Sequence, residues 1–177
     1  MGDISQIDKR LLFSPEQIDR QVERLAGEIS RDYQGKDPVL VGVLKGVFIF
    51  LADLVRLLTI PVQVDFVRLS SYGENTTSSG TVRISHDVEM SLRNRHVLIV
   101  EDIVDSGLSM HFLRDHLASH EPCSLKICAL LDKRERRSTE VALDYVGLRV
   151  EKGFVVGYGL DCNEAYRQLP GIYELIF

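Results

Sequence analysis

The chain has 177 residues, 45% of them hydrophobic and 27% charged, and its 26 acids outnumber its 21 lysines and arginines for a net charge of −5. With mean hydropathy near zero, that balance fits one folded domain with a real core and excludes disordered, collagen-like and low-complexity chains. The acidic surplus argues against non-specific binding of nucleic acid or an anionic membrane, because phosphates would meet a repelling field.

A local phosphate site built from backbone N–H groups and a divalent metal stays compatible with that charge. The longest apolar stretch, residues 39–55, is broken by Lys45 and Asp53 and cannot cross a bilayer. The opening MGDISQIDKR has no apolar core, so no secretion signal is expected. Cys123, Cys128 and Cys162 form an odd set without a CxxC and read as reduced core or near-core thiols of a cytoplasmic protein.

Residues 1–35 read as a peripheral start. Ser14 with Pro15 opens a helix in which Ile18, Val22, Leu25 and Ile29 recur at helical spacing, and Gly35 with Asp37–Pro38 ends it. VLVGV (39–43) is a β-branched run expected to be a strand buried on both faces. A short LKG turn leads into the apolar helix VFIFLADLVRLL. VQVDFVRLSSY (62–72) reads as a second strand, and GENTTSSG (73–80) as a mobile loop. HVLIV (96–100) is another buried strand, followed by EDIVDSGLS and a helix carrying Leu108, Phe112, Leu113 and Leu117. SLKICALL (124–131) is a strand, DKRERR a charged turn and FVVG (154–157) a late strand. Alternating strands and helices, with no repeat or linker, predict a single α/β domain with a mainly parallel sheet of about five strands and helices on both faces.

The informative stretch is HVLIVEDIVDSGLS (96–109). A buried strand runs into Glu101 and Asp102, Asp105 follows, and Ser106, Gly107 and Ser109 open a helix. Ligands of open α/β sheets bind at the carboxyl ends of strands, and helix N-termini offer free N–H groups to anions. Glycine allows close approach of the backbone to a phosphate. Three acids beside such a turn can hold a hydrated Mg²⁺ or sugar hydroxyls. The residues alone therefore point to a phosphorylated sugar with a divalent metal. The plainer alternative makes Ser106 a simple helix cap and the acids solvated loop residues.

The stretch VLIVEDIVDSGLS closely resembles the phosphoribosyl-diphosphate (PRPP) signature of type I phosphoribosyltransferases, in their hypoxanthine-guanine branch. VGVLKGVFIFLADL, VDFVRLSSYG, LLDKRERR and FVVGYGLDCNEAYRQLP extend the resemblance over nearly the whole chain, in the same order. It implies a Rossmann-like core over about 36–150, with a small hood assembled from about 1–35 and 151–177. It further implies a 5′-phosphate loop at Asp105, Ser106, Gly107, Leu108 and Ser109, with Glu101 and Asp102 meeting the ribose hydroxyls directly or through Mg²⁺. Asp105 becomes the candidate general base. Lys45 and Gly46 fall on the pyrophosphate loop, where relatives often hold the Leu–Lys peptide strained or cis, and Arg167 on a further pyrophosphate contact.

In the same way Lys133 falls on the lysine that reads the 6-oxo group of a purine. Phe154 falls on the aromatic that stacks on the base, and Val155 on backbone contacts to its edge. Asp161 matches a second metal ligand, and Ser71 and Tyr72 match the start of a closing lid. The reaction so implied is transfer from PRPP to hypoxanthine or guanine, giving IMP or GMP, by a homodimer or homotetramer that binds neither nucleic acid nor membrane. A xanthine-preferring enzyme, a PRPP-sensing nucleic-acid-binding regulator and a metal-dependent phosphohydrolase are the alternatives. His116 and His120 lie four apart; with no third ligand apparent they read as a solvated helix face. Without the resemblance, Lys133 reads as part of a solvated charge run and Phe154 as a core aromatic.

Overall fold

The computed structural model describes residues 7–72 and 81–177, leaving aside the side chains of Ser71, Tyr72 and Thr81. The loop expected at 73–80 lies outside the described residues, as do the two side chains expected to begin a lid. Helix α1 (Pro15–Asp32) starts as the sequence dictates: Gln17 N–H donates to Ser14 Oγ, and Ser14 N–H donates to Gln17 Oε1 at 2.9 Å. Its apolar stripe of Ile18, Val22, Leu25 and Ile29 is fully buried.

A six-stranded sheet forms the centre. Strands β2 (Val39–Leu44), β3 (Gln63–Tyr72), β5 (His96–Val104), β6 (Ser124–Lys133) and β7 (Tyr145–Val150) run parallel, and β4 (Thr81–His86) adds an antiparallel edge. The spatial order is β4-β3-β2-β5-β6-β7. Strand periodicity divides the buried residues between the two faces. Leu40, Leu98 and Val100 pack with α1 and α2 (Phe48–Leu57) on one side. Val39, Val41, Val97 and Ile99 pack with α3 (Leu108–Ala118) on the other.

A second sheet joins the chain ends: β1 (Asp8–Phe13) pairs antiparallel with β9 (Ile172–Ile176), which pairs with β8 (Phe154–Val156). Among the described residues the first 35 do not stay together: β1 enters this sheet, whereas α1 packs against α2 and β7 in the main core. The amphipathic stripe of α1 explains the difference, since only the large core can cover it. Of the cysteines, Cys128 is buried, Cys162 half-buried and Cys123 exposed, so Cys123 departs from the near-core expectation. No described helix is long and apolar enough to cross a membrane.

Candidate active site at the carboxyl ends of the parallel strands

A cleft of about 630 Å³ opens where β2, β3, β5 and β6 end and β8 passes over them. Lys45, Gly46, Asp102, Asp105 and Lys133 line it from the main sheet and its loops; Phe154, Val155, Asp161 and Arg167 line it from the C-terminal segment. Nine of the residues singled out in the sequence thus share one cavity. Glu101, Ser106, Gly107, Leu108 and Ser109 lie in or beside the same loop without lining it. A hollow of about 730 Å³ beside the end of α1 contains none of the site residues.

Strand β5 continues past the expected end at Val100, because Ile103 and Val104 still pair with Leu131 and Asp132 of β6. The strand therefore carries Glu101 and Asp102 inward. Glu101 is half-buried overall, but its Oε2 is enclosed and has no hydrogen-bond partner in the protein. Burial pushes the Glu101 carboxyl well up from the ordinary range, and the neighbouring Asp102 charge pushes it further. Burial also raises Asp102, against the hydrogen bond that its Oδ1 accepts from Ile103 N–H at 2.9 Å.

The Leu44–Lys45 peptide is cis, and Gly46 lies directly against Asp102, whose carboxylate a Cβ at position 46 would strike. The helix cap is Gly107 rather than Ser106: Gly107 has φ 84° and accepts from His111 N–H at 2.9 Å. A side chain there would collide with the Thr139 carbonyl, so both the dihedral and the space call for glycine. Ser106 Oγ accepts a long bond, 3.4 Å, from Leu108 N–H, and Ser109 is exposed at the start of α3. Beyond Leu108, the N–H groups of Ser109 and Met110 have no intrahelical acceptor at this end of α3 and can meet an anion.

The charged run after β6 is not the solvated turn its composition suggests. Asp132 and Lys133 remain in the strand, paired with Arg149 and Val150, and both are buried. Lys133 Nζ lies 3.4 Å from Asp105 Oδ2 and 3.3 Å from Glu135 Oε2. Asp105 Oδ1 is buried without a protein partner. Phe154 stays 40% exposed at the cleft, edge-on to Phe177, so its ring has a face free of the core.

Two residues with no mark in the sequence, Arg137 and Glu164, tie the parts of the cleft together. The Arg137 side chain is enclosed, donates to the carbonyls of Val104 and Asp105 at 3.0 and 2.8 Å, and pairs with Asp132 at 2.6 Å. It fastens the loop that precedes α3 to the end of β6. Glu164 bridges the two expected pyrophosphate cations, 2.8 Å from Lys45 Nζ and 3.1 Å from Arg167 Nη2. Hydrogen bonds from Lys45 and then Arg167 hold the Glu164 carboxyl below its usual range. Arg167 also meets Asp161 at 2.9 Å and donates to the Gly159 carbonyl at 2.7 Å. In sequence both residues sit among other charges, and only their partners from distant segments distinguish them.

Glu101, Asp102 and Asp161 do not converge as one three-ligand cluster; the trio of that kind found among the described residues is elsewhere. Their oxygen donors nonetheless suit a cation that keeps several waters, and the unpartnered Glu101 Oε2 is a donor without a protein use.

Parallel-strand carboxyl ends, a glycine-capped anion loop and flanking acids define a sugar-phosphate-binding α/β domain. Residues 13–163 match the phosphoribosyl transferase domain, and the chain belongs to that family. It is 47% identical over 165 residues to the hypoxanthine-guanine phosphoribosyltransferase of Aquifex aeolicus (strain VF5), covering 93% of each chain. The Bacillus subtilis (strain 168) protein of the same name is 43% identical over 164 residues, covering 93% of this chain and 91% of that one. Among solved structures, the hypoxanthine-guanine phosphoribosyltransferase of Bacillus anthracis str. 'Ames Ancestor' with HEPES in its active site superposes with TM-score 0.91 at 44% identity, covering 97% of this chain and 100% of that one. The Trypanosoma cruzi hypoxanthine phosphoribosyl transferase gives 0.90 at 42%, covering 99% and 95%. Fold class and family both agree with the reading of the sequence.

Proposed function

We propose that this chain transfers the 5-phosphoribosyl group of PRPP to the imidazole nitrogen of hypoxanthine or guanine, giving IMP or GMP and pyrophosphate in purine salvage. The observation that carries the reading is a buried lysine, Lys133, facing Asp105 at 3.4 Å in one cleft with the half-open ring of Phe154. Family membership supports the phosphoribosyl donor, and the names of the curated relatives support the acceptor.

In this reading Lys133 donates to the 6-oxo group of the base. Adenine would present an amino group and leave the ammonium facing another donor, a pairing that a buried site penalises. Phe154 stacks on the purine and Val155 meets its edge through the backbone. Asp105 accepts the imidazole proton. The backbone N–H groups of Ser106 to Ser109 hold the 5′-phosphate. Lys45, Gly46 and Arg167 receive pyrophosphate once Glu164 releases the two cations.

Bond breaking runs ahead of bond making, because the ribose oxygen stabilises a cation at C1′. The residues' task is then to align the partners, exclude water and match the charge leaving with pyrophosphate. Ser71 and Tyr72 begin the lid that excludes water. Glu101 and Asp102 on the ribose side, and Asp161 separately on the pyrophosphate side, would hold Mg²⁺, which when bound neutralises charge on the diphosphate. The protein is a single cytoplasmic domain, with the β1-β9-β8 sheet as hood over the core, assembled as a homodimer or homotetramer.

Replacing Lys133 tests the assignment. Lys133→Ala should lose most turnover of hypoxanthine while PRPP binding survives, and an unchanged ranking of purines would remove Lys133 from base recognition. A xanthine preference would keep the reaction and change only the preferred base, since Lys133 reads the shared 6-oxo group. A PRPP-sensing regulator is the more distant alternative, and salt-dependent RNA or DNA binding without turnover would favour it.

A further inference from the structure

We propose that Asp87, His116 and His120 form a surface site for one divalent transition-metal ion of the zinc class, distinct from the acids of the cleft. One ligand atom from each residue lies within 4.8 Å of the other two. None of the three lines the cleft. His116 stands in the last turn of α3 and His120 in the turn that follows, with ring centroids 5.2 Å apart. A histidine pair spaced by four could not bind a metal strongly by itself. The fold supplies the third ligand, which comes from another part of the chain.

Asp87 directly follows β4, and its position is built rather than incidental. Its Oδ1 accepts from Val88 N–H at 2.8 Å. Two and three residues on, the N–H groups of Glu89 and Met90 donate to the buried Asp65 carboxylate at 2.9 and 2.8 Å. Val88 and Met90 then pack against the cluster that contains Leu113 and Leu117 of α3. The same packing that turns Leu113 and Leu117 inward leaves His116 facing Asp87, with Nε2 2.8 Å from Oδ2.

The donor set selects the ion. Two imidazoles and one carboxylate, with a fourth position open to water, match zinc and its neighbours, whereas Mg²⁺ prefers six oxygens. An ion of this class replaces the His116–Asp87 hydrogen bond and asks the two ligand atoms to stand about 3.3 Å apart, as in tetrahedral coordination. Both side chains are partly exposed, 28% and 43%, so small rotations reach that spacing. The bound ion ties the end of β4 to the end of α3. Because it binds only the folded chain, it raises stability by mass action without touching the cleft.

The test is zinc binding to the full chain, by competition with a chromophoric chelator, with millimolar Mg²⁺ present to occupy oxygen-only sites. One Zn²⁺ per chain is expected, with binding about tenfold weaker or worse in His116→Gln and in His120→Gln. Zn²⁺ should shift the imidazole resonances of His116 and His120 and leave those of His86, His96 and His111 in place. It should also raise the unfolding temperature of the parent and not of the double variant. Equal affinity in the double variant, zinc-induced change at other histidines or at Cys123, or no binding below about 100 µM Zn²⁺, a modest demand for three protein ligands, would each overturn the proposal. Neither histidine lines the cleft, so turnover of hypoxanthine with Mg²⁺ and without zinc should match the parent in both variants.

Discussion

Arg137 and Asp132 form an ion pair 2.6 Å long at the end of β6, with only 5% and 1% of their side chains exposed. The same guanidinium reaches the carbonyls of Val104, Asp105 and Lys133. It therefore sets the distance between the anion loop and the strand end that carries Lys133. Arg137 is a positioning residue: the residues it orients, not Arg137 itself, face the cleft.

Breaking a buried pair by removing one partner costs about 3–5 kcal/mol, so Arg137→Met should lower the unfolding temperature sharply. Arg137→Lys separates positioning from folding. It keeps the charge against Asp132 but gives up carbonyl hydrogen bonds worth about 0.5–1.5 kcal/mol each. Steady-state kinetics should then show kcat/KM for PRPP falling by about tenfold, for two such bonds lost, in a protein that still unfolds cooperatively. Parental kinetics in Arg137→Lys would deny the residue any positioning role.

Glu164 pairs with both Lys45 and Arg167, the two cations proposed to receive pyrophosphate. Its side chain is exposed, so its contacts are weak and screened by solvent and salt. Glu164→Gln should therefore lower KM for PRPP by about two- to fivefold, with kcat little changed. An increase in KM would mean that Glu164 orders the two cations for the substrate rather than competing with it.

Glu101 gives the unliganded protein a pH dependence of definite sign. Its folded-state pKa is raised, by burial first and by Asp102 second, so the folded state holds the proton more tightly than the unfolded chain. Its contribution is most favourable below the ordinary glutamate range and is lost as pH rises through that range towards the raised value. Glu101→Gln should accordingly stabilise the metal-free protein at pH 7 and leave it unchanged near pH 4, while weakening Mg²⁺-dependent PRPP binding. Thermal unfolding at the two pH values checks this; a variant less stable than the parent at pH 7 would contradict it.

The segments that could be read from sequence are those whose burial is written in adjacent residues. The run from Val97 to Val100 is apolar on both faces because helices cover both sides, and that forces a central parallel strand. Strands β1 and β9 carry no such mark. They pair Asp8 with Ile176, so neither has its partner within reach of any local pattern. Strand β7 is a half-buried edge of six residues containing a glycine, too weak an alternation to stand out.

At the site, Lys133 and Phe154 were legible through the family motif alone. Composition makes 132–137 a charge run, and only the pairing with Arg149 and Val150 and the burial on both faces of the strand show that Asp132 and Lys133 belong to β6. Arg137 and Glu164 depend wholly on three-dimensional partners. So does Asp87, the third member of a cluster in which the sequence displays only two histidines.

The most direct test of the whole reading is nucleotide formation from PRPP and Mg²⁺ with hypoxanthine, guanine, xanthine, adenine and uracil offered separately. Rapid formation of IMP or GMP, with adenine and uracil inert, is the expected result. Turnover of adenine as fast as hypoxanthine, or no nucleotide from any base despite PRPP binding, would contradict it.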